Sequence, residues 1–406
     1  MRIKGVWLLV AALMAVCLGC KTALRSRNHG FARAEGHAVS PGNGGGGGAA
    51  VAGADSLVML FTGDVMLGRD VGRLIRHGGA DRLFSQSVDS LFATAHVVVA
   101  NIECPVTQKE SPLNKRFVFR ADTTVLPVLR KHGITHLNMA NNHTIDHGRG
   151  GLEDTYNNIM NAGMVPIGYG GNDSEACRPV MVGGGPRPVF VLASLRVMSE
   201  NYVYMPDRPS VAEASVGRLC DSVRAIRRRV PSACIVVCLH WGVEHTLHPT
   251  VMQRHEGRML VDAGADAVIG HHSHTAQDVE IYRHRPIFYS LGNFIFDLDR
   301  PLNRRGLVAK LTVTADSLLV DSLPVEIRKC VPEVVGRVRQ PAVGGMGKEV
   351  EKILMRNDPE DGVQGGATLW KLTQAITAHA RELTPERSRE LHEISGALLN
   401  RVKLQA

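Results

Sequence analysis

The chain reads as short apolar runs that each stop on a polar cluster, separated by stretches with helical spacing. Residues 56–61 (SLVMLF) run into Thr62-Gly63-Asp64, and residues 96–100 into Asn101-Ile102-Glu103. Residues 134–140 lead to Asn141-Asn142-His143, and 234–239 (CIVVCL) to His240-Trp241-Gly242. The run Ala267-Val268-Ile269 leads to Gly270-His271-His272-Ser273-His274. Residues 81–95, 123–132, 151–162, 210–230 and 250–263 carry apolar positions at helical spacing, while 164–167 and 189–195 read as further strands. Residues 117–119 (FVF) predict a short strand or hairpin arm. Residues 279–282 with 287–290 predict a hairpin, and 307–313 with 317–325 alternate as antiparallel strands do. Strands alternating with helices predict an α/β fold, and the closing antiparallel strands predict a sandwich rather than one doubly wound sheet. From about Pro332 the pattern turns helical, at 348–356, 368–382 and 385–404, which predicts a C-terminal helical extension over 331–406.

Composition bounds this picture. Of 406 residues, 44% are hydrophobic and 21% charged, an ordinary globular balance with chain enough for a large core. The net charge of +8 suits anionic partners such as envelope polymers or phosphate esters. No segment interleaves basic and aromatic residues as a nucleic-acid groove does, so nucleic acid is not an expected partner. Arg224 and Arg227-Arg228-Arg229 fall on an expected helix and read as a solvated face.

The first 54 residues stand apart from the fold. Arg2 and Lys4 precede an apolar stretch over 6–18, too short to span a bilayer comfortably, so residues 1–20 read as a signal peptide. The stretch ends Cys17-Leu18-Gly19-Cys20, which resembles the lipobox of a bacterial lipoprotein, although Cys17 stands where Leu or Val is usual. The resemblance implies an exported chain, lipid-anchored through Cys20 to a bacterial membrane and facing the periplasm or the cell surface. A plain secretory signal or an uncleaved anchor is the alternative. Residues 21–54 are Gly-rich and poor in apolar residues, as a flexible tether is, which leaves 55–330 as the folded domain. The six cysteines beyond Cys20 lack paired metal spacing and read mostly as buried thiols, with one or two disulfides open.

Five strand ends carry ligand-type side chains: Asp64, Glu103, Asn142 with His143, His240, and the His271 to His274 cluster. Taken singly, each has an ordinary explanation, since Asp and Asn after a strand form turns and a lone buried His is usually satisfied by a hydrogen bond. Together, at the carboxyl ends of α/β strands where sites gather, they point to a metal centre. Carboxylate, amide oxygen and imidazole suit one or two ions of Mn, Zn or Fe. An extended backbone past Gly270 would project His272 and His274 to the same side.

Seven motifs in order carry a resemblance over about residues 56–296. They are Gly63-Asp64-Val65-Met66-Leu67-Gly68-Arg69, Asn101-Ile102-Glu103, and Ala140-Asn141-Asn142-His143 with Asp146-His147-Gly148. The others are His240-Trp241-Gly242-Val243-Glu244, Gly264-Ala265-Asp266, Gly270 to His274 with Gln277, and Tyr289-Ser290-Leu291-Gly292-Asn293-Phe294. With them the chain resembles the CapA family of capsule-synthesis (poly-γ-glutamate) proteins, whose fold is similar to the calcineurin-like metallophosphoesterases. The resemblance implies a metallophosphoesterase-like four-layer αββα sandwich. It implies Asp64, Glu103, Asn142, His240, His272 and His274 as metal ligands, with Glu103 in the bridging place. It implies His143 as acid or transition-state stabiliser, Arg69 as a contact for a substrate anion, and Glu244 as an orienting group or base. His271 is expected to be structural. The phosphoesterase pattern has Asp-x-His on its first strand, where this chain has Asp64-Val65-Met66. His147 and His245 stand where aromatic residues are common in relatives. Two function classes follow: a metal-dependent hydrolase acting on poly-γ-glutamate or a phosphate ester, or a non-catalytic factor that binds the polymer for a membrane synthase complex.

Overall fold

The computed structural model describes residues 55–183 and 185–339. Its strands, numbered along the chain, begin with β1 (Ser56–Val65), β2 (Val97–Ile102), β3 (His136–Asn138), β4 (Val165–Ile167), β5 (Tyr169–Gly170), β6 (Val180–Met181), β7 (Val189–Leu195) and β8 (Ser210–Val211). There follow β9 (Cys234–His240), β10 (Ala267–His271), β11 (Val279–Tyr282), β12 (Arg285–Phe288) and β13 (Asn293–Ile295), then β14 (Arg305–Thr314), β15 (Leu318–Arg328), β16 (Val331–Val334) and β17 (Val338–Arg339). The helices are α1 (Arg69–Gly78), α2 (Gln86–Phe92), α3 (Val125–Lys131), α4 (Gly148–Asn161), α5 (Asp173–Ala176), α6 (Val216–Arg229) and α7 (Val251–Asp262). A nine-stranded sheet runs β16-β15-β14-β1-β2-β3-β4, with β13 also on β1 and β17 on β15. A six-stranded sheet runs β11-β12-β10-β9-β7-β6. Strands β1 to β4 are mutually parallel, as are β7, β9, β10 and β12.

Period-2 alternation sorts the side chains into layers. Leu57, Met59 and Phe61 of β1, Val97 and Val99 of β2, and Cys234, Val236 and Cys238 of β9 share one core, between the sheets. The opposite parity of β1 and β2, through Leu60, Val98 and Ala100, packs on Val71, Val88, Leu126, Leu129 and Leu152 from α1 to α4. Ile235, Val237 and Leu239 of β9 meet Leu219, Val223 and Leu260 of α6 and α7. Two stacked sheets with helices outside each make a four-layer αββα sandwich. Strands buried on both faces are near-continuous apolar runs, which is why β2 and β9 were legible as such.

Several expectations shift. The run over 210–230 is not one helix: Ser210 and Val211 pair with β5, and α6 starts only after Ser215, whose side chain accepts from Arg218 N. Residues 117–119 form no strand, because Phe119 N donates to the Asp146 carboxylate (2.7 Å) rather than to a neighbouring strand. Nothing in the sequence marks the start of helix α1: it is short, its N-cap Gly68 makes no side-chain capping bond, and it buries only Val71 and Gly72. Arg227 is not solvated like Arg224: it reaches under the turn to Asp266 (2.7 Å) and to the carbonyls of Ala233 and Gly264. Residues 331–339, assigned to a helical extension, instead add strands β16 and β17 to the first sheet. The helices expected over 348–404, the signal peptide with Cys20 and the tether lie outside the described residues. Cys104, Cys177, Cys220, Cys234, Cys238 and Cys330 are free thiols.

Gly270 shows how tightly the strand before the histidine cluster is held. A Cβ there would lie 2.0 Å from the Tyr289 carbonyl oxygen and 2.5 Å from Trp241 Nε1, which are hydrogen-bonded to each other at 2.9 Å. Gly270→Ala is therefore expected to cost about 2–3 kcal/mol in urea unfolding, the upper range for overpacking. A cost under about 0.5 kcal/mol would contradict this packing.

Candidate metal centre

Strand register lays out the floor of the site. Asn138, Asn101, Asp64 and Asn293 stand in one row across β3, β2, β1 and β13, while His240 and His271 are paired across β9 and β10. Asn138 Nδ2 donates to Asn101 Oδ1 (3.0 Å), and Asn101 Nδ2 donates to Asp64 Oδ1 (2.8 Å). Asn141 Nδ2 also donates to Asn101 Oδ1 (3.3 Å), so the Asn101 amide can face Asp64 only through its NH2. Past β3, the Asn141 side-chain oxygen accepts from His143 N (3.1 Å) and Thr144 N (2.9 Å), which pins the turn presenting Asn142 and His143.

Above this floor two ligand sets overlap on Glu103: Asp64, Glu103 and His274, and Glu103, His240 and His272, all buried. His240 Nε2 lies 3.6 Å from Glu103 Oε1 and 2.9 Å from Asn142 Oδ1. His274 Nε2 lies 3.7 Å from Glu103 Oε1, and its Nδ1 is 3.3 Å from Asp64 Oδ2 and 3.0 Å from Asn293 Oδ1. Both oxygens of Glu103, Asp64 Oδ2 and His272 Nδ1 are buried without a hydrogen-bond partner. Unpaired buried carboxylate oxygens are expensive in a protein interior, and a bound cation removes that cost. Electrostatics agree. Burial, with the charges of Asp64 and Glu244, holds the Glu103 carboxyl well above the usual range. Burial and the neighbouring imidazoles push His240 well down, and burial followed by His274 brings His272 to about 4, so both are neutral donors. Burial works against the charged forms of Asp64 and His274 too, but their mutual contact wins, lowering Asp64 and raising His274. Five of these side chains, with Asn142 beside His240, thus form an arrangement that could hold a divalent cation.

Some expected roles move. The backbone does not stay extended past Gly270: β10 ends at His271, and His272 and His274 take left-handed φ of 92° and 53°. Such conformations are uncommon outside glycine and persist where surroundings hold them. They set the two rings 6.2 Å apart, each in a different ligand set. His271 bonds the Thr62 carbonyl through Nε2 (3.1 Å) and belongs to neither set. Met66 is buried in the helix-side core, where its sulfur accepts from Gly68 N (3.1 Å). Arg69 is engaged with Asp297 (3.1 Å) and lies over the Phe119 ring, outside the cavity lining. Glu244 is half-exposed at the cavity mouth. His147 accepts from Ser111 N (3.1 Å), and His245 lies 6.0 Å from the His274 ring.

His143 lines a cavity of about 210 Å³ with Asn142 and His272. Its Nδ1 meets Asp146 Oδ2 (2.8 Å) and its ring stacks on Phe119 (4.2 Å), leaving Nε2 as its free nitrogen. Asp146 also takes Lys115 Nζ (2.7 Å), and Lys115 Nζ donates to the Asn142 carbonyl (2.9 Å). Lys115 was not foreseen; it sits in Asn114-Lys115-Arg116 with no pattern around it. Asn101, Asp146 and Asn293 lay within the quoted motifs, but only the register shows what each one holds.

The chain is 32% identical to the PGA biosynthesis protein CapA of Bacillus subtilis over 287 residues, 69% of this chain and 74% of that one. It is 26% identical to the capsule biosynthesis protein CapA of Bacillus anthracis over 288 residues, covering 69% and 70%. Among solved structures it is similar to a phosphatase from Mycoplasma pneumoniae (13% identity, TM-score 0.39, 72% of this chain and 96% of that one). A calcineurin-like phosphoesterase from Bacillus subtilis is similar at 14% identity and TM-score 0.34, covering 71% and 90%. The family model for the bacterial capsule synthesis protein PGA_cap matches residues 58–298, more than half of the chain and every residue placed in the centre above. The chain therefore belongs to the PGA_cap family of bacterial capsule synthesis proteins.

Proposed function

We propose that this protein is a metal-dependent hydrolase of the bacterial envelope, exported and tethered through Cys20, that acts on an anionic polymer. The observation that carries the reading is Glu103, whose two buried oxygens lack any donor while ligand sets meet at it from two sides. PGA and capsule biosynthesis, named for its relatives, support a γ-glutamyl polymer as substrate, with a phosphate-bearing polymer as the other option. Asp64, Glu103, Asn142, His240, His272 and His274 would hold one or two ions of Mn, Zn or Fe. When bound, such an ion lowers the pKa of a coordinated water toward about 7 and polarises the oxygen at the bond to be broken. His143, oriented by Asp146, is the group to protonate the departing amine or alcohol.

One observation favours a second reading, in which the protein binds polymer for a membrane synthase complex without cleaving it. Met66 fills a core position where metallophosphoesterases carry an imidazole, so one ligand of that pattern is missing. The two readings separate in a single preparation. Full-length protein purified without added ions is expected to carry stoichiometric Mn, Zn or Fe and to cleave γ-glutamyl polymer or an aryl phosphate. Asp64→Ala and His272→Ala should lower cleavage at least about a hundredfold, the upper end for loss of a residue that only supports a ligand. Bound metal without cleavage of either substrate would favour the assembly role, and absence of both would overturn the hydrolase.

A further inference from the structure

We propose that the cavity beside the metal centre receives one amino-acid unit with a free ammonium group, the amino-terminal residue of a γ-linked chain. Glu200 and Glu244 would take its ammonium and Lys115 its carboxylate. The polymer's identity rests on the function proposed above; the recognition itself rests on the cavity.

At about 210 Å³ the cavity is smaller than the roughly 300–1,000 Å³ pockets that enclose drug-sized ligands, so it suits one residue rather than a run of polymer. Its charged lining is one lysine and two glutamates, beside Asn142, His143 and His272. Lys115 spends two of its three N–H donors on Asp146 and the Asn142 carbonyl, so its charge is already opposed. Among the described residues Glu200 accepts only from Arg116 N (3.2 Å), and Glu244 has no hydrogen bond, with His245 Nε2 3.8 Å away. Both carboxylates thus have oxygens to spare. Phe117, Val197 and Met198 supply apolar wall for a methylene chain.

A bare stretch of polyanion entering here would meet two carboxylates against one half-neutralised lysine, which disfavours it. A chain end carrying an ammonium meets complementary charge. His272 opens on the same cavity, so a unit held there lies beside the metal-ligating residues. The loops bearing Lys115 and Glu200 are joined where Glu200 accepts from Arg116 N and where the Asn201 amide donates to the Asn114 carbonyl. That join holds the lysine and the glutamate in one wall.

The test is calorimetric titration of the full-length protein with γ-linked diglutamate and with its N-acetyl derivative, cleavage being followed separately by chromatography. Acetylation removes the ammonium alone, and is expected to weaken binding at least about tenfold, or ~1.4 kcal/mol. In the Glu200→Gln/Glu244→Gln double variant, whose two sites are solvent-exposed, the gap should shrink below about threefold. Equal binding of the two ligands, or a gap that survives the double substitution, overturns the inference. Selective binding without cleavage leaves it standing and removes the hydrolase reading. Cleavage with no preference for the free amine does the reverse.

Discussion

Glu103→Gln is expected to leave the metal-free protein at least as stable as the wild type while removing most of the stabilisation that metal confers. The sign follows from the two states of one side chain. Without an ion, Glu103 is wholly buried with both oxygens unpaired and a neighbouring carboxylate at Asp64, an arrangement that costs several kcal/mol as a charge. Glutamine keeps the shape and removes the charge. With an ion, the carboxylate is the one group common to both ligand sets. Metal at about a thousand times its Kd adds about 4 kcal/mol to folding stability, and the variant should forfeit most of that. Differential scanning calorimetry with and without chelator reads both halves. A variant that is clearly less stable in chelator, or that keeps the metal-dependent rise in Tm, would contradict this account of the centre.

Asp146→Asn should cost about 3–5 kcal/mol, the range for breaking a buried ion pair from one side. The Asp146 side chain is fully buried and Lys115 is 3% exposed, so the substitution strands an ammonium in the protein interior. It also loosens Phe119 N and His143 Nδ1, both held by the same carboxylate. Much of the loss is the penalty of the orphaned lysine, and Lys115→Met should recover part of it. In urea unfolding the double variant should lie about 1.5–3 kcal/mol above the sum of the single changes. Strict additivity would mean that the lysine and the aspartate are not a unit.

What the sequence made legible, and what it hid, divides along a physical line. Buried parallel strands announce themselves by composition, so β7 was read residue for residue and β9 short by only His240. The ligands were legible because each stands at or just past the end of such a strand. The supporting groups were not, because their roles arise across strands: Asn101 holds Asp64 only when β2 lies beside β1 in the observed register. Loop geometry was hidden for the same reason. Nothing local to Ser273 says that the residues on either side of it adopt left-handed backbone, and the extended reading placed both imidazoles on one side. Helix limits stayed hidden where the cap decided them: Ser215 starts α6 late, and α1 opens on Gly68 with no side-chain cap.

The register row and the histidine loops come from different sheets, and that division has a consequence for how the molecule is built. Asp64 lies in a strand of the nine-stranded sheet and Glu103 just past one, whereas His240 ends a strand of the six-stranded sheet and His272 and His274 follow another. Among the described residues no local fragment holds a full ligand set, because the shortest span that does so runs from Glu103 to His272. An ion would thus be captured only after both sheets had met, and once captured would act as a rivet through the pair. Opening the sandwich must release it first, so metal loading should slow unfolding far more than it speeds folding.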